Sequence, residues 1–255
     1  MVALAPHRVP LAPRAALRYD VVRREVDWLR PASLLEIGCG LGGFGARLAA
    51  SGIDYLGVEQ DEASCAVAER RVTAAGGRVV CGSYADVVPA GAEFDVVCAF
   101  EVLEHIEDDA SALHDWRALV RPGGHLLLSV PAWQDMFGGS DILAGHYRRY
   151  SPDGLRARLL DASFVQPRIT VYGWPLGYAL EAVRNRLAAR RLGEAGGADE
   201  AATCDARTAG SGRLMQPNAV AGLVVRAGVA PFSWLQRTAP GRGTGLVVTA
   251  QRPAT

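Results

Sequence analysis

Three groups of residues in this sequence have the types and spacing to do chemistry. The first is a glycine turn: Gly38, Gly40 and Gly43 follow the apolar run Leu34-Leu35-Glu36-Ile37 and precede a helix-like segment. Glycines so placed let a backbone turn sharply and approach a ligand closely. The second is Glu59, 21 residues after Gly38, where a carboxylate ending a strand can accept both hydroxyls of a ribose. The third is Glu101, Glu104 and His105; positions i, i+3 and i+4 share a helical face, so all three can enter one site. His146 lies after a later apolar run. Two carboxylates and two imidazoles can move protons or hold a divalent ion such as Mg²⁺, Mn²⁺ or Zn²⁺.

Those residues need a frame. An amphipathic helix is predicted over 15–30, ended by Pro31. Short apolar runs at 33–37, 55–59, 78–81, 94–100, 125–130, 165–172 and 245–250 read as seven strands. Most are separated by helical segments, including 44–50, 62–75 and 109–120. Such alternation predicts an α/β fold, a doubly wound, mostly parallel seven-stranded sheet with right-handed crossovers. Residues 1–172 and 243–255 form the main domain in this reading. Residues 173–242 form a helical insertion or lid before the last strand, with a flexible Gly/Ala-rich linker at 193–212.

Composition narrows the function. The 255 residues carry a formal net charge of +0, so no nucleic-acid partner is expected from bulk electrostatics. All basic residues are arginine, which excludes a Schiff-base or phosphate-loop lysine. The five cysteines (Cys39, Cys65, Cys81, Cys98, Cys204) form no C-x-x-C pair; no disulfide or thiolate zinc site is expected, and a reducing, cytoplasmic setting is the default.

The glycine turn and Glu59 suit NAD and S-adenosylmethionine equally. Glu36 separates them: a carboxylate two residues before Gly38 repels a pyrophosphate but suits an ammonium and a sulfonium. In its motifs the chain resembles class I S-adenosylmethionine-dependent methyltransferases of the ubiquinone/menaquinone-biosynthesis-like group. LLEIGCGLGGFGARLA resembles their first motif, YLGVEQDE the second-strand acidic motif, FDVVCAFEVLEHIEDD the fourth-strand motif and LVRPGGHLLLSVP the fifth, over about 33–131. The resemblance implies S-adenosyl-L-methionine as cofactor. Glu36, Gly38, Cys39 and Gly40 would line its methionine end, Glu59 its ribose and Gln60 its adenine. Ser83 and Tyr84 would be candidates for the adenine amino contact, and Phe100 and Glu101 would also touch the cofactor. The acid–histidine cluster is similar to a metal-binding one in small-RNA 2′-O-methyltransferases and ubiquinone-pathway O-methyltransferases. The expectation here is nonetheless a metal-free site with His105 or His146 as general base, and with His146 on a mobile loop.

GHYRRYSPDGLRARLLDASF further resembles bacterial members associated with glycan, lipid-linked or secondary metabolites; Tyr147, Arg148 and Arg149 are the candidate contacts to a small-molecule substrate, the two arginines being able to bind an anionic group by bidentate hydrogen bonds. Two other readings stand beside this one. The first is an NAD-dependent oxidoreductase on the same fold; the second is a non-catalytic or peripheral membrane module using the basic helix over 176–192.

Overall fold

The structure, a computed structural model, describes residues 10–194 and 219–255. Helix α1 (Pro13–Leu29) starts with Pro13 in its first turn and ends where Arg30 turns left-handed. Then come β1 (Ser33–Ile37), α2 (Gly45–Ala49), β2 (Asp54–Glu59), α3 (Glu62–Thr73), β3 (Arg78–Cys81), α4 (Tyr84–Val87) and β4 (Phe94–Phe100). A 3₁₀ turn (Leu103–His105), α5 (Asp109–Leu119), β5 (Val120–Pro131), α6 (Gly139–Ala144), α7 (Pro152–Asp161) and β6 (Val165–Gly173) follow. Two longer helices, α8 (Leu176–Glu194) and α9 (Ala219–Leu235), precede β7 (Gly243–Gln251).

The seven strands run in the order β3-β2-β1-β4-β5-β7-β6. β1 to β5 pair in parallel, while β7 lies antiparallel between β5 and β6. The sheet is thus mostly parallel, as expected, with an antiparallel end. β5 is longer than the 125–130 run predicted, because Arg121-Pro122-Gly123-Gly124 lies within the strand.

Each face of the sheet buries its own core. Leu113 and Trp116 of α5 and Leu155 and Leu159 of α7 cover one face. Leu17, Val21 and Val26 of α1, Leu48 of α2 and Val229 of α9 cover the other. With both faces covered, the central strands carry apolar residues throughout rather than alternately. Strand order reverses between β1 and β4, so the crevice beyond their carboxyl ends is the natural ligand position.

The part of the predicted 193–212 linker beyond residue 194 lies outside the described residues. Among the described residues no helix is long and apolar enough to cross a membrane. One expectation from the sequence is corrected: Cys65 and Cys81 form a disulfide. They are distant in sequence, yet Cys65 on α3 faces the end of β3, a juxtaposition that motif spacing does not reveal.

Candidate active site

β1 delivers the glycine turn into the crevice. Gly38 has φ +69°, and a Cβ there would meet Val102 Cγ2 at 2.7 Å. Gly40, at φ +55°, faces nothing within 4 Å. The first glycine is required by both conformation and packing; the second leaves backbone bare towards open space. Glu59 locks this turn to the next strand: Gly40 N–H donates to Oε2 at 2.7 Å and Asp61 N–H to Oε1 at 2.9 Å. Gln60 beside it is exposed.

Across the β3 end, Ser83 caps α4 by accepting from Ala85 N–H at 3.3 Å. Tyr84 turns towards α5, its hydroxyl 3.4 Å from Asp115 Oδ2 and its ring edge-on to Trp116. Burial and then Asp115 push that phenol up. Cys39 is buried, which pushes its thiol well up. Phe100 is buried too, its ring centroid 5.3 Å from that of Phe44.

Glu36 sits lower than the sequence suggested. It pairs in register with Gly57 and Cys98, is 3% exposed, and accepts the Tyr55 hydroxyl at Oε2 over 2.6 Å. The missing side chain of Gly57 makes room, since a Cβ there would lie 2.9 Å from the Tyr55 hydroxyl oxygen. Burial pushes the Glu36 carboxyl up to about 8, against the opposing hydrogen bond from Tyr55. It is therefore a largely protonated acid beneath the turn at neutral pH, which a nearby cation would ionise.

Two residues that the motifs do not mark complete this end of the site. Arg14 and Arg18 project from α1 onto Glu101, with Arg14 Nη2 at 3.3 Å and Arg18 Nη1 at 3.1 Å. Glu101 follows β4 directly in a left-handed conformation, φ +58°, and Ser129 Oγ donates to it at 3.3 Å. Burial opposes its charge, but Arg18 and Arg14 overrule it and hold the carboxyl down at about 2. The Nε groups of both arginines are buried without a hydrogen-bond partner among the described residues. The only signal in the sequence was their i, i+4 spacing, and the helix predicted over 15–30 left Arg14 just outside, whereas the observed α1 starts at Pro13.

Beyond β4 the chain forms the 3₁₀ turn that carries Glu104 and His105. Glu104 is fully buried, and neither carboxylate oxygen has a hydrogen-bond partner among the described residues. Burial, reinforced by Glu101, holds its carboxyl well above the usual range. Burial and then His146 lower the His105 imidazole to about 4, so it is neutral at physiological pH. The two imidazole rings meet edge to face, 4.6 Å between centroids. His146 Nε2 lies 4.0 Å from Glu104 Oε1, and ligand atoms of Glu104, His105 and His146 all lie within 4.8 Å of one another.

His146 is pinned rather than carried on a loose loop: its Nδ1 is 2.8 Å from Asp141 Oδ1. Burial works against the Asp141 charge, but His146 and Arg149 hold this carboxyl well below its usual range. An ionised carboxylate only accepts, so Nδ1 carries the proton and Nε2 faces Glu104. Of the four candidate ligands, Glu101 leaves the group because its carboxylate is taken by the α1 arginines.

Arg148 and Arg149 are not presented to a substrate anion. Arg149, fully buried, places Nε 2.8 Å and Nη2 2.6 Å from the Asp141 carboxylate and also pairs with Glu181 of α8. Arg148 pairs with Asp109 Oδ2 at 2.9 Å and donates to Glu107 O. Acidic partners from remote segments claim both guanidiniums. Tyr147 is 39% exposed, and its N–H donates to Glu104 O at 2.9 Å.

The comparisons with known proteins bear on this geometry. Residues 35–128 match the family model described as a methyltransferase domain. A ubiquinone biosynthesis O-methyltransferase of Alkalilimnicola ehrlichii is 34% identical over 126 residues, covering 48% of this chain and 50% of that protein. The chain thus matches about half the length of this curated relative. Among solved structures, a putative sarcosine dimethylglycine methyltransferase from Galdieria sulphuraria superposes with TM-score 0.56 at 14% identity, over 94% of this chain and 88% of that one. Phosphoethanolamine N-methyltransferase 2 of Haemonchus contortus, in complex with S-adenosyl-L-methionine, gives TM-score 0.53 at 21% identity, over 87% and 48%. These structural likenesses concern the fold alone. Residues 35–128 thus match a methyltransferase domain, and the chain shares the fold of these solved methyltransferases.

Proposed function

We propose that this chain transfers a methyl group from S-adenosylmethionine to an oxygen of a small-molecule acceptor of secondary-metabolite, glycan or lipid-linked chemistry. The observation that carries the reading is the adjacency of two half-sites. The bare Gly40 turn clamped by Glu59 follows β1, the Glu104–His105 part of the buried acid–histidine group follows the neighbouring β4, and Gly38 packs against Val102 just before the 3₁₀ turn.

In this reading Glu59 accepts the ribose hydroxyls, and Gly38 and Gly40 let the backbone approach the cofactor. Glu101 takes the methionine ammonium, while the buried N–H groups of Arg14 and Arg18 take its carboxylate. Methyl transfer is an in-line displacement from a sulfonium already activated, so the protein's work is alignment and exclusion of water. Neutral His105 accepts the acceptor hydroxyl's proton.

Glu104, His105 and His146 also fit a divalent cation. A buried carboxylate with two orphaned oxygens beside two imidazoles, one backed by Asp141, is a suitable donor set. When bound, such an ion would polarise the acceptor oxygen.

Calorimetry with S-adenosylhomocysteine and with NADH tests the cofactor. Stoichiometric binding of the former and none of the latter is expected, and the reverse would sink the proposal. Elemental analysis after dialysis against Mn²⁺ or Zn²⁺ tests the ion: Glu104→Ala should abolish any stoichiometric metal bound by the wild type.

A further inference from the structure

We infer that the Cys65–Cys81 disulfide is a reversible thiol-exchange site that controls how firmly the adenosine end of the cofactor is held. The inference rests on the cofactor reading given above, and its geometry is independent of the acid–histidine group.

The bond ties together the two segments that flank the proposed adenosine position. Cys65 lies near the start of α3, and its N–H donates to the carbonyl of Asp61, the residue that caps this helix. Asp61 N–H in turn donates to Glu59. Cys81 ends β3 directly opposite Glu59 in the parallel register. The next residue, Gly82, donates its N–H to Glu59 O at 2.9 Å, and Ser83 then caps α4. One covalent bond therefore closes a ring through Glu59, the α3 cap and the Gly82–Ser83 turn.

The attachment matters because β3 is weakly held. It is an edge strand, paired on one side only, with Arg78, Val80 and Cys81 exposed. Its burial contributes little, so the disulfide is a main constraint on where its carboxyl end sits. The other two cysteines in the described residues, Cys39 and Cys98, are free and buried within the sheet region.

The two sulfurs are unequal in access. Cys81 is exposed, whereas Cys65 is completely buried. An external thiolate therefore attacks Cys81 Sγ. The S–S bond breaks, its electron pair leaves on Cys65 Sγ, and that sulfur takes up a proton. A second external thiol then attacks the external sulfur of the mixed disulfide, and Cys81 is released as a thiol. Two external thiols are oxidised to one disulfide, and the protein gains two hydrogens. In the reduced state the buried Cys65 behaves as a small apolar residue, and the β3 end is restrained only by its hydrogen bonds.

The test uses the full chain in two redox states, treated with oxidised glutathione or with dithiothreitol, with reoxidation as a control. Peptide mapping without reduction should recover the 65–81 cross-link in the first state and free thiols in the second. Calorimetry with S-adenosylhomocysteine should then show affinity about five- to twentyfold weaker in the reduced protein, restored on reoxidation. Cys81→Ser should match the reduced wild type and no longer respond to dithiothreitol. Amide exchange should rise in 59–65 and 81–84 and stay unchanged in β4 and β5. Equal affinity in both states, or no recoverable cross-link, would overturn the switch alone. No binding in either state would remove the cofactor reading together with the switch built upon it.

Discussion

Replacing Glu36 by glutamine isolates the cost of an acid buried beneath the glycine turn. The carboxyl rises from its ordinary 4.5 to about 8 in the folded protein. At about 1.36 kcal/mol per unit, this corresponds to a penalty on the order of 5 kcal/mol against the ionised form. Below pH 4.5 the folded and unfolded states are both protonated, and the full stability is present. Between pH 4.5 and 8 the unfolded chain has released a proton that the folded protein keeps, so stability drains as pH rises and the loss is complete above about 8. Glutamine never ionises, and its amide oxygen can still accept the Tyr55 hydroxyl. Urea denaturation at several pH values between 5 and 9 should therefore show Glu36→Gln near wild type at the acid end. Its advantage should widen to the order of 5 kcal/mol at the alkaline end. Differences between the two proteins cancel the opposite contributions of Glu101 and Asp141. Parallel curves, or a wild type that stays the more stable at pH 9, would refute a buried, raised Glu36.

Four further outcomes are expected. Glu59→Ala should weaken S-adenosylhomocysteine binding about ten- to a hundredfold in calorimetry, the loss of a charge-assisted contact worth about 1.5–3 kcal/mol. Asp141→Asn removes one of the two buried carboxylates that Arg149 pairs with and should cost roughly 3 kcal/mol in denaturant unfolding, the low end for a broken buried pair because Glu181 remains; a change below about 1 kcal/mol would mean that the pair is solvated. Arg18→Ala should raise the pH at which Glu101 protonates, seen by NMR of a labelled carboxyl carbon, whereas Tyr84→Phe should alter ligand affinity by less than about twofold because its hydroxyl faces Asp115.

Much of the frame was legible from local pattern, for physical reasons. Apolar runs such as 94–100 are long enough to be central strands, and the glycines around residue 40 mark a turn that few other residues could make. Glu104 and His105 are neighbours in the chain, so their proximity follows from spacing, and His146 joins them because β4 and β5 end side by side. Long-range pairings were not legible. Arg14 and Arg18 meet Glu101 only because α1, packed on one face of the sheet, brings its first turns beside the end of β4. Arg149 looked like a substrate cation because Asp141 and Glu181 flank it from segments whose approach no motif encodes. Cys65 and Cys81 likewise come together through the packing of α3 on β3, after a separation of 16 residues.

The placement of β7 between β5 and β6 has a consequence for synthesis on the ribosome. β5 is complete at Pro131, but the strand that covers its free edge ends only at Gln251. At about 5–20 residues per second, roughly 120 further residues take about 6–24 s to emerge. Throughout that interval Leu126, Leu127 and Leu128, all buried in the finished protein, belong to an open, apolar strand edge of the kind that recruits foreign strands. β6, complete at Gly173, waits without its partner for the later part of that interval, because it pairs with β7 alone. Nascent chains halted before residue 243 should therefore depend on chaperones and aggregate when released, even though the glycine turn and both histidines have already been made.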